Sequence, residues 1–272
     1  MSKAMTRPEH LPDFQNPPLN EVVLGVQFRP PRNYQQILAG EVWNLYRAEY
    51  PDVQEQRALA PSFETFGLPA SSGQFKLISG ASHDRFWFVS PKGDELIQFQ
   101  QDRLLHNWRK VGDGANEYPR FERMVDRFQI ELAKLEKFAA TLSPQALQIT
   151  QCEITYINQI DAKSNAPMIV GDWLRSLSFQ EPVRPDDLSL TFRQVISDDG
   201  GKPQGRLIVE AATAFKEDGS PLITLNITVR GAPREPSIRS AIDFISKGRE
   251  LIVMRFAQLT TDLAHKHWGR LL

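Results

Sequence analysis

Seven polar residues on strand-like segments have types that could grip an anion or move a proton. They are Arg29, Asn107, Arg109, Glu153, Arg193, Glu210 and Arg230. Arginine forks match carboxylate and phosphate oxygens bidentately. A glutamate beside a bound anion can act as general acid or base. The same residues also read as the outer side of solvated strands, where opposite charges pair with one another. Alternation puts them there. Ser189, Thr191 and Arg193 oppose Leu188, Leu190, Phe192 and Ile196. Arg206 and Glu210 oppose Leu207, Val209 and Phe215, and Thr224, Asn226, Thr228 and Arg230 oppose Ile223, Leu225, Ile227 and Val229. Gln151, Glu153 and Thr155 share one side of another strand, as do Gln27 and Arg29, and Arg103, Asn107 and Arg109. The result is one polar sheet face of mixed charge.

Familiar catalytic patterns are missing. The chain has no G-x-x-x-x-G-K-[ST] phosphate loop, no G-x-G-x-x-G between a strand and a helix, and no H-E-x-x-H. It has no C-x-x-C pair and no G-x-S-x-G elbow. Nothing in it calls for a cofactor or a metal. His265 and His267 point to different sides of a helix, which reads as a solvated helix end with favourable cations. His106 falls on an apolar strand side with Leu104 and Trp108 and reads as a core histidine. Cys152, the sole cysteine, lies in a strand-like run and reads as a small buried hydrophobe.

These residues need elements to hold them. Val22, Leu24, Val26 and Phe28 alternate along a strand from Glu21 to Arg29. A helix capped by Asn33 follows, with Ile37, Leu38, Val42, Leu45 and Tyr46 at helical spacing. Pro61 to Gln74 reads as a loop. Arg85–Ser90, Glu95–Gln101 and Arg103–Lys110 form a meander of strands. A long helix follows Pro119, with Phe121, Val125, Phe128, Leu132, Leu135 and Leu142 on its apolar face and Arg127 and Glu131 off it. The plan then restarts: a strand over Ile149–Ile160, a short helix over Val170–Leu177, and strands over Leu188–Ile196, Arg206–Phe215 and Leu222–Arg230. A second long helix follows Pro236, with a last short turn capped by Thr260 or Thr261.

The expected fold class is therefore α+β: two tandem β-α-(β)3-4-α halves, each an antiparallel sheet covered by its own long helix. That plan resembles TATA-binding-protein-like domains, in fold only. The expected organisation is an N-terminal arm over 1–20, a first half over 21–147 and a second half over 148–272.

The 272 residues carry 32 basic and 33 acidic side chains, a formal net charge of −1. A non-specific nucleic-acid binder shows a basic excess, so this balance argues against nucleic acid as a partner. It also leaves little self-repulsion, which favours self-association or a protein partner. At 41% hydrophobic and 10% aromatic residues, the chain is too apolar to be disordered. No apolar run approaches the ~20 residues of a membrane helix. Met1 to His10 lacks the apolar core of a secretory signal, and a lone cysteine suits a reducing cytoplasm.

Pro17-Pro18-Leu19-Asn20-Glu21-Val22-Val23, Arg85-Phe86-Trp87-Phe88-Val89-Ser90, Asn107-Trp108-Arg109, Tyr118-Pro119-Arg120-Phe121-Glu122 and Glu153-Ile154-Thr155-Tyr156-Ile157-Asn158 together resemble a sporadically distributed family of uncharacterised bacterial and archaeal proteins. Trp268-Gly269 is similar to the family's common ending. Lys247 stands where relatives often carry histidine. The resemblance brings no activity, cofactor or catalytic residue, and the family's patchy distribution associates it with defence-linked genes. The expected function is a non-catalytic binding or interaction protein using its polar sheet face, as a subunit or regulator of a defence- or toxin-type system. The alternative is an enzyme or sensor for a small anionic ligand, phosphorylated or nucleotide, held by Arg29, Arg109, Arg193 and Arg230 with Glu153 or Glu210 as acid or base.

Overall fold

The structure, a computed structural model, describes residues 7–66, 84–112, 114, 116–145, 147–161, 168–175 and 187–271. Strand β1 (Leu19–Phe28) is followed by a 3-10 turn over Gln36–Leu38 and a short helix α1 (Ala39–Asn44). Strands β2 (Asp52–Gln56), β3 (Arg85–Val89), β4 (Glu95–Gln100) and β5 (Arg103–Arg109) lead into the long helix α2 (Phe121–Leu142). Strand β6 (Ile149–Asp161) and helix α3 (Val170–Trp173) precede β7 (Ser189–Ser197), β8 (Pro203–Phe215) and β9 (Pro221–Gly231). The chain ends with the long helix α4 (Ile238–Leu259) and the short α5 (Asp262–His267).

The expectation of two tandem halves, each a sheet under its own helix, is overturned. All nine strands form one antiparallel sheet in the order β2-β3-β4-β5-β1-β6-β9-β8-β7. The cause is the pairing of β1 with β6. Val22, Leu24 and Val26 lie directly opposite Tyr156, Ile154 and Cys152, so the leading strands of the two segments join at the centre. Residues directly opposite in an antiparallel ladder share a face. The row His106–Leu24–Ile154–Val229 therefore lies on one side of β5, β1, β6 and β9. Glu131 of α2 touches His106 on that side, and Gly248 of α4 sits against Ile154 and Val229. Both long helices thus pack on the same face, and Arg249 of α4 meets Glu122 of α2 at 3.0 Å. One continuous core, from Phe28 and Tyr46 to Ile252 and Trp268, lies between sheet and helices.

Local signals account for the helix ends. Ser237 caps α4 by accepting from the Ser240 backbone N–H, and Thr261 caps α5 by accepting from that of Ala264. Strand β2 is an edge strand whose residues are mostly exposed. Asp-Val-Gln-Glu-Gln offers no apolar alternation, so it carries no local strand signal. Helix α3 ends at Trp173; the rest of the expected helix to Leu177 lies outside the described residues after Arg175, as does the expected loop beyond Phe66. No helix among the described residues is long and apolar enough to cross a membrane.

Candidate functional site

The sheet face away from the helices is the polar one. Its cross-strand rows can be read from the register. One runs Arg103–Gln27–Gln151 across β5, β1 and β6. The next runs Leu105–Gly25–Glu153–Arg230–Arg206, out to β8. The third runs Asn107–Val23–Thr155–Thr228–Ile208–Arg193, out to β7, and the fourth runs Arg109–Glu21–Ile157–Asn226–Glu210.

These rows decide the anion-site hypothesis. Asn107 and Arg193 lie five strand spacings apart, about 24 Å at ~4.8 Å each. Arg109 and Glu210 lie four spacings apart, about 19 Å. Arg29 is exposed, past the far end of β1, with its backbone N–H bonded to the Gln148 carbonyl. Arg109 donates to the Gly93 carbonyl at 3.0 Å and stacks over Trp87. Asn107 is buried, donating to Glu21 and accepting from Gln98. Arg193 and Glu210 are exposed. The four arginines do not surround one point, so no shared anion pocket forms from them. Glu153 and Arg230 do meet, as a direct cross-strand ion pair.

Around that pair the face is covered. Residues Arg57 to Phe66, between β2 and β3, run across the sheet as a strap. The Arg57 carbonyl accepts from Arg85 Nε. Gln100 of β4 takes both backbone groups of Leu59: its Oε1 accepts from the N–H at 2.8 Å and its Nε2 donates to the carbonyl at 3.0 Å. Arg103 of β5 donates to the Ala60 carbonyl at 3.2 Å. Gln27 of β1 repeats the double bond on Ser62, accepting at 3.1 Å and donating at 2.7 Å. Arg230 of β9 reaches the Ser62 hydroxyl at 2.9 Å and Glu64 at 3.5 Å. Arg206 of β8 pairs with Glu64 at 2.8 Å, donates to the Thr65 carbonyl at 2.6 Å and stacks on Phe66.

The distances are consistent with extended backbone. The six steps from Leu59 to Thr65 can reach about 20 Å, and the five spacings from β4 to β8 amount to about 24 Å. The long arginine side chains make up the difference. Gln27, Gln100 and Arg103 are each more than nine-tenths buried beneath the strap. Beside them is a cleft of about 210 Å³ between strap and sheet, lined by Gly25, Gln27, Ser62, Gln151, Glu153 and Arg230. The Gln151 side-chain carbonyl is buried there without a hydrogen-bond donor among the described residues. A Cβ at Gly25 would fall 2.6 Å from Leu105 Cδ2, the end of a flexible side chain that would have to turn aside.

Charge is balanced across this face. Arg103 pairs with Asp102, Arg230 with Glu153 and Glu64, and Arg206 with Glu64. Glu64 belongs to the strap, so the face beneath it suits a hydrogen-bonding segment that also carries a carboxylate. Elsewhere, Cys152 and His106 are both fully buried. Burial pushes the Cys152 thiol far above its ordinary value, which leaves it inert as a nucleophile. The helix-end reading of His265 is corrected: it is buried, with Nε2 2.8 Å from the Thr260 hydroxyl and Nδ1 3.1 Å from an Arg270 nitrogen. Among the described residues, no group of three or more His, Cys, Asp or Glu is placed to hold a metal ion.

Of the seven sequence candidates, the structure brings together Glu153 and Arg230. Sequence reasoning missed Gln27, Gln100, Gln151, Arg103 and Arg206 as a constellation, because glutamine and arginine on an outer strand side carry no motif. Comparison of the chain with protein-family models, curated proteins and solved structures gives no match.

Proposed function

We propose that the protein is a non-catalytic interaction module whose polar sheet face recognises an extended peptide by its backbone. The observation that carries this reading is the pair of glutamine clamps. Gln27 and Gln100 each hold the N–H and C=O of one residue, which is how a side-chain amide reads a peptide bond without regard to sequence. Selectivity would come from what surrounds them: Arg230 for a serine, Arg206 and Arg230 for a glutamate two positions on, and the Arg206 face for an aromatic ring two further. The chain's own Leu59–Phe66 satisfies this pattern and occupies the face. A partner with a similar extended segment would compete with it.

The test is to replace residues 57–66 by a Gly/Ser linker of equal length and add the excised sequence Arg-Ala-Leu-Ala-Pro-Ser-Phe-Glu-Thr-Phe as a labelled peptide. The expected result is saturable binding to the replaced chain, absent from the unaltered chain and weakened at least about tenfold by Gln27→Ala with Gln100→Ala. A folded replaced chain that ignores the peptide would refute the reading.

A further inference from the structure

On the helix face, far from the strap, a second cavity of about 80 Å³ lies between the N-terminal arm, the start of α2 and the middle of α4. That volume holds several waters and is too small for a nucleotide. Its walls are apolar: Phe14, Leu19, Phe121, Val253 and Phe256. Into this setting the sequence places Arg249, one turn after Ile245 and one before Ile252 on the buried side of α4. Arg249 is only 2% exposed. An arginine buried among hydrophobic residues is costly unless each of its donors is used.

The terminal nitrogens of Arg249 are used: one donates to Glu122 at 3.0 Å, the fork stacks on Phe121, and the Tyr156 hydroxyl is a further hydrogen-bond partner of the guanidinium. Its Nε is not: it is buried with no acceptor among the described residues. Tyr118 and Tyr156 also line the cavity, their hydroxyls 3.1 Å apart. Burial raises both phenols above the ordinary value, so they stay neutral, and since one hydroxyl donates to the other, one phenolic proton is left for a ligand. Arg7 and Arg120 complete the wall, both bound to Asp13, at 3.6 and 3.1 Å. Three guanidinium groups therefore share two carboxylates, Asp13 and Glu122. Burial lowers the Arg7 value, Asp13 opposes this, and the nearby Arg249 and Arg120 charges add to it. Arg7 and Arg120 reach solvent, and Arg7 also donates to the Leu11 and Pro12 carbonyls, so the buried need of the cavity is an acceptor for Arg249 Nε, in walls that carry one positive charge in excess.

We infer that this cavity is a binding site for a small carboxylic acid with an apolar body, its carboxylate received by Arg249 and by the one tyrosine hydroxyl whose proton is not already shared. A carboxylate supplies the acceptor that Nε lacks and offsets the positive excess of the walls, and the phenylalanine walls take the apolar body. The arm forms the near wall. Phe14 bridges to Arg270, and Gln15 and Asn16 bond to the Gly269 and Trp268 carbonyls, which hold the arm across the opening. The site rests on other residues than the strap face, so either can fail alone.

The experiment is calorimetric titration of the full chain at pH 7 with propionate, a carboxylate small enough for the cavity, with its neutral isostere propionamide and with inorganic phosphate. The expected result is a propionate dissociation constant of about 1 mM or tighter. Propionamide and phosphate should each bind at least about tenfold more weakly. Arg249→Met, shown folded by circular dichroism, should lose the preference for propionate over propionamide. If that variant does not fold, the comparison of propionate with propionamide on the unaltered chain decides alone. No propionate binding at about 20 mM, equal binding of the amide, or phosphate binding as tight as propionate would each overturn the inference.

Discussion

Glu131 lies among the polar residues of α2 in the helical pattern, yet the structure buries it to 2% exposure. It accepts from the Tyr50 hydroxyl at 2.8 Å and stands 3.0 Å from His106 Nδ1, with Arg127 one turn back at 3.8 Å. Its position between Phe128 and Leu132 explains this, because the apolar stripe is wide enough to include it. Glu131→Ala would strand His106 and Tyr50 in the core. The expected loss is about 3 kcal/mol or more, measured by urea denaturation. Arg120 shows the opposite effect. It precedes α2 at φ 72° and ψ 151°, a region that suits glycine. Its bond to Asp13 is a surface ion pair worth less than about 1 kcal/mol, whereas relieving the backbone is worth about 1 kcal/mol or more. Arg120→Gly should therefore raise the melting temperature; a fall would show that the ion pair dominates. Gly248 is a third case. A Cβ there would lie 2.8 Å from Ile154 Cγ2 and 3.1 Å from Val229 Cγ1. Alanine gains about 1 kcal/mol of helix propensity but overpacks the interface of helix and sheet by about 1–3 kcal/mol, so Gly248→Ala should destabilise.

At the scale of elements, α5 and the strap behave unlike their sequence patterns. The pair His265-Lys266-His267 looks like a cationic helix end, but His265 turns inward. Burial, and then the charges of Arg270 and Arg175, hold its imidazole below the ordinary 6.5. The Thr260 hydroxyl already donates to the Phe256 carbonyl, so it accepts from His265 Nε2–H, and Nδ1 accepts from Arg270. The ring is neutral in the folded chain. The unfolded chain takes up the proton near pH 6.5 while the folded one does not, so stability falls as the pH drops below that value. Melting temperatures between pH 7.5 and 5.5 should show the fall, and His265→Gln should flatten it. The strap was legible only as a loop, from Pro61 and its neighbours. Its course over the sheet depends on residues far away in sequence, Gln27, Arg103 and Arg206, and local pattern carries no such information.

At the scale of the whole molecule, strand alternation and helix periodicity were readable because each reports a local choice of buried side. Val22, Leu24, Val26 and Phe28 and the stripes of both long helices are the clearest instances. The seam between β1 and β6 was not readable. A strand with one apolar face has the same pattern at the edge of its own sheet as in the middle of a larger one. What decides is the unpaired backbone edge, which β1 and β6 remove from one another by pairing. Of the polar face, alternation placed Glu153 and Arg230 together with Arg193 and Glu210 without singling out the Glu153–Arg230 pair, and only the register shows that Arg109 and Arg193 stand on distant strands. The seam makes the face broad enough for one extended segment to cross from β4 to β8.

Amide hydrogen exchange of the unaltered chain reads that crossing at single residues. The Leu59 and Ser62 amides should exchange at least about tenfold more slowly than those of unstructured peptide, since each is held by a buried glutamine. Gln100→Ala should release Leu59 and Gln27→Ala should release Ser62, with the helices of the core unchanged. Exchange of both amides at the unstructured rate in the unaltered chain would contradict the account.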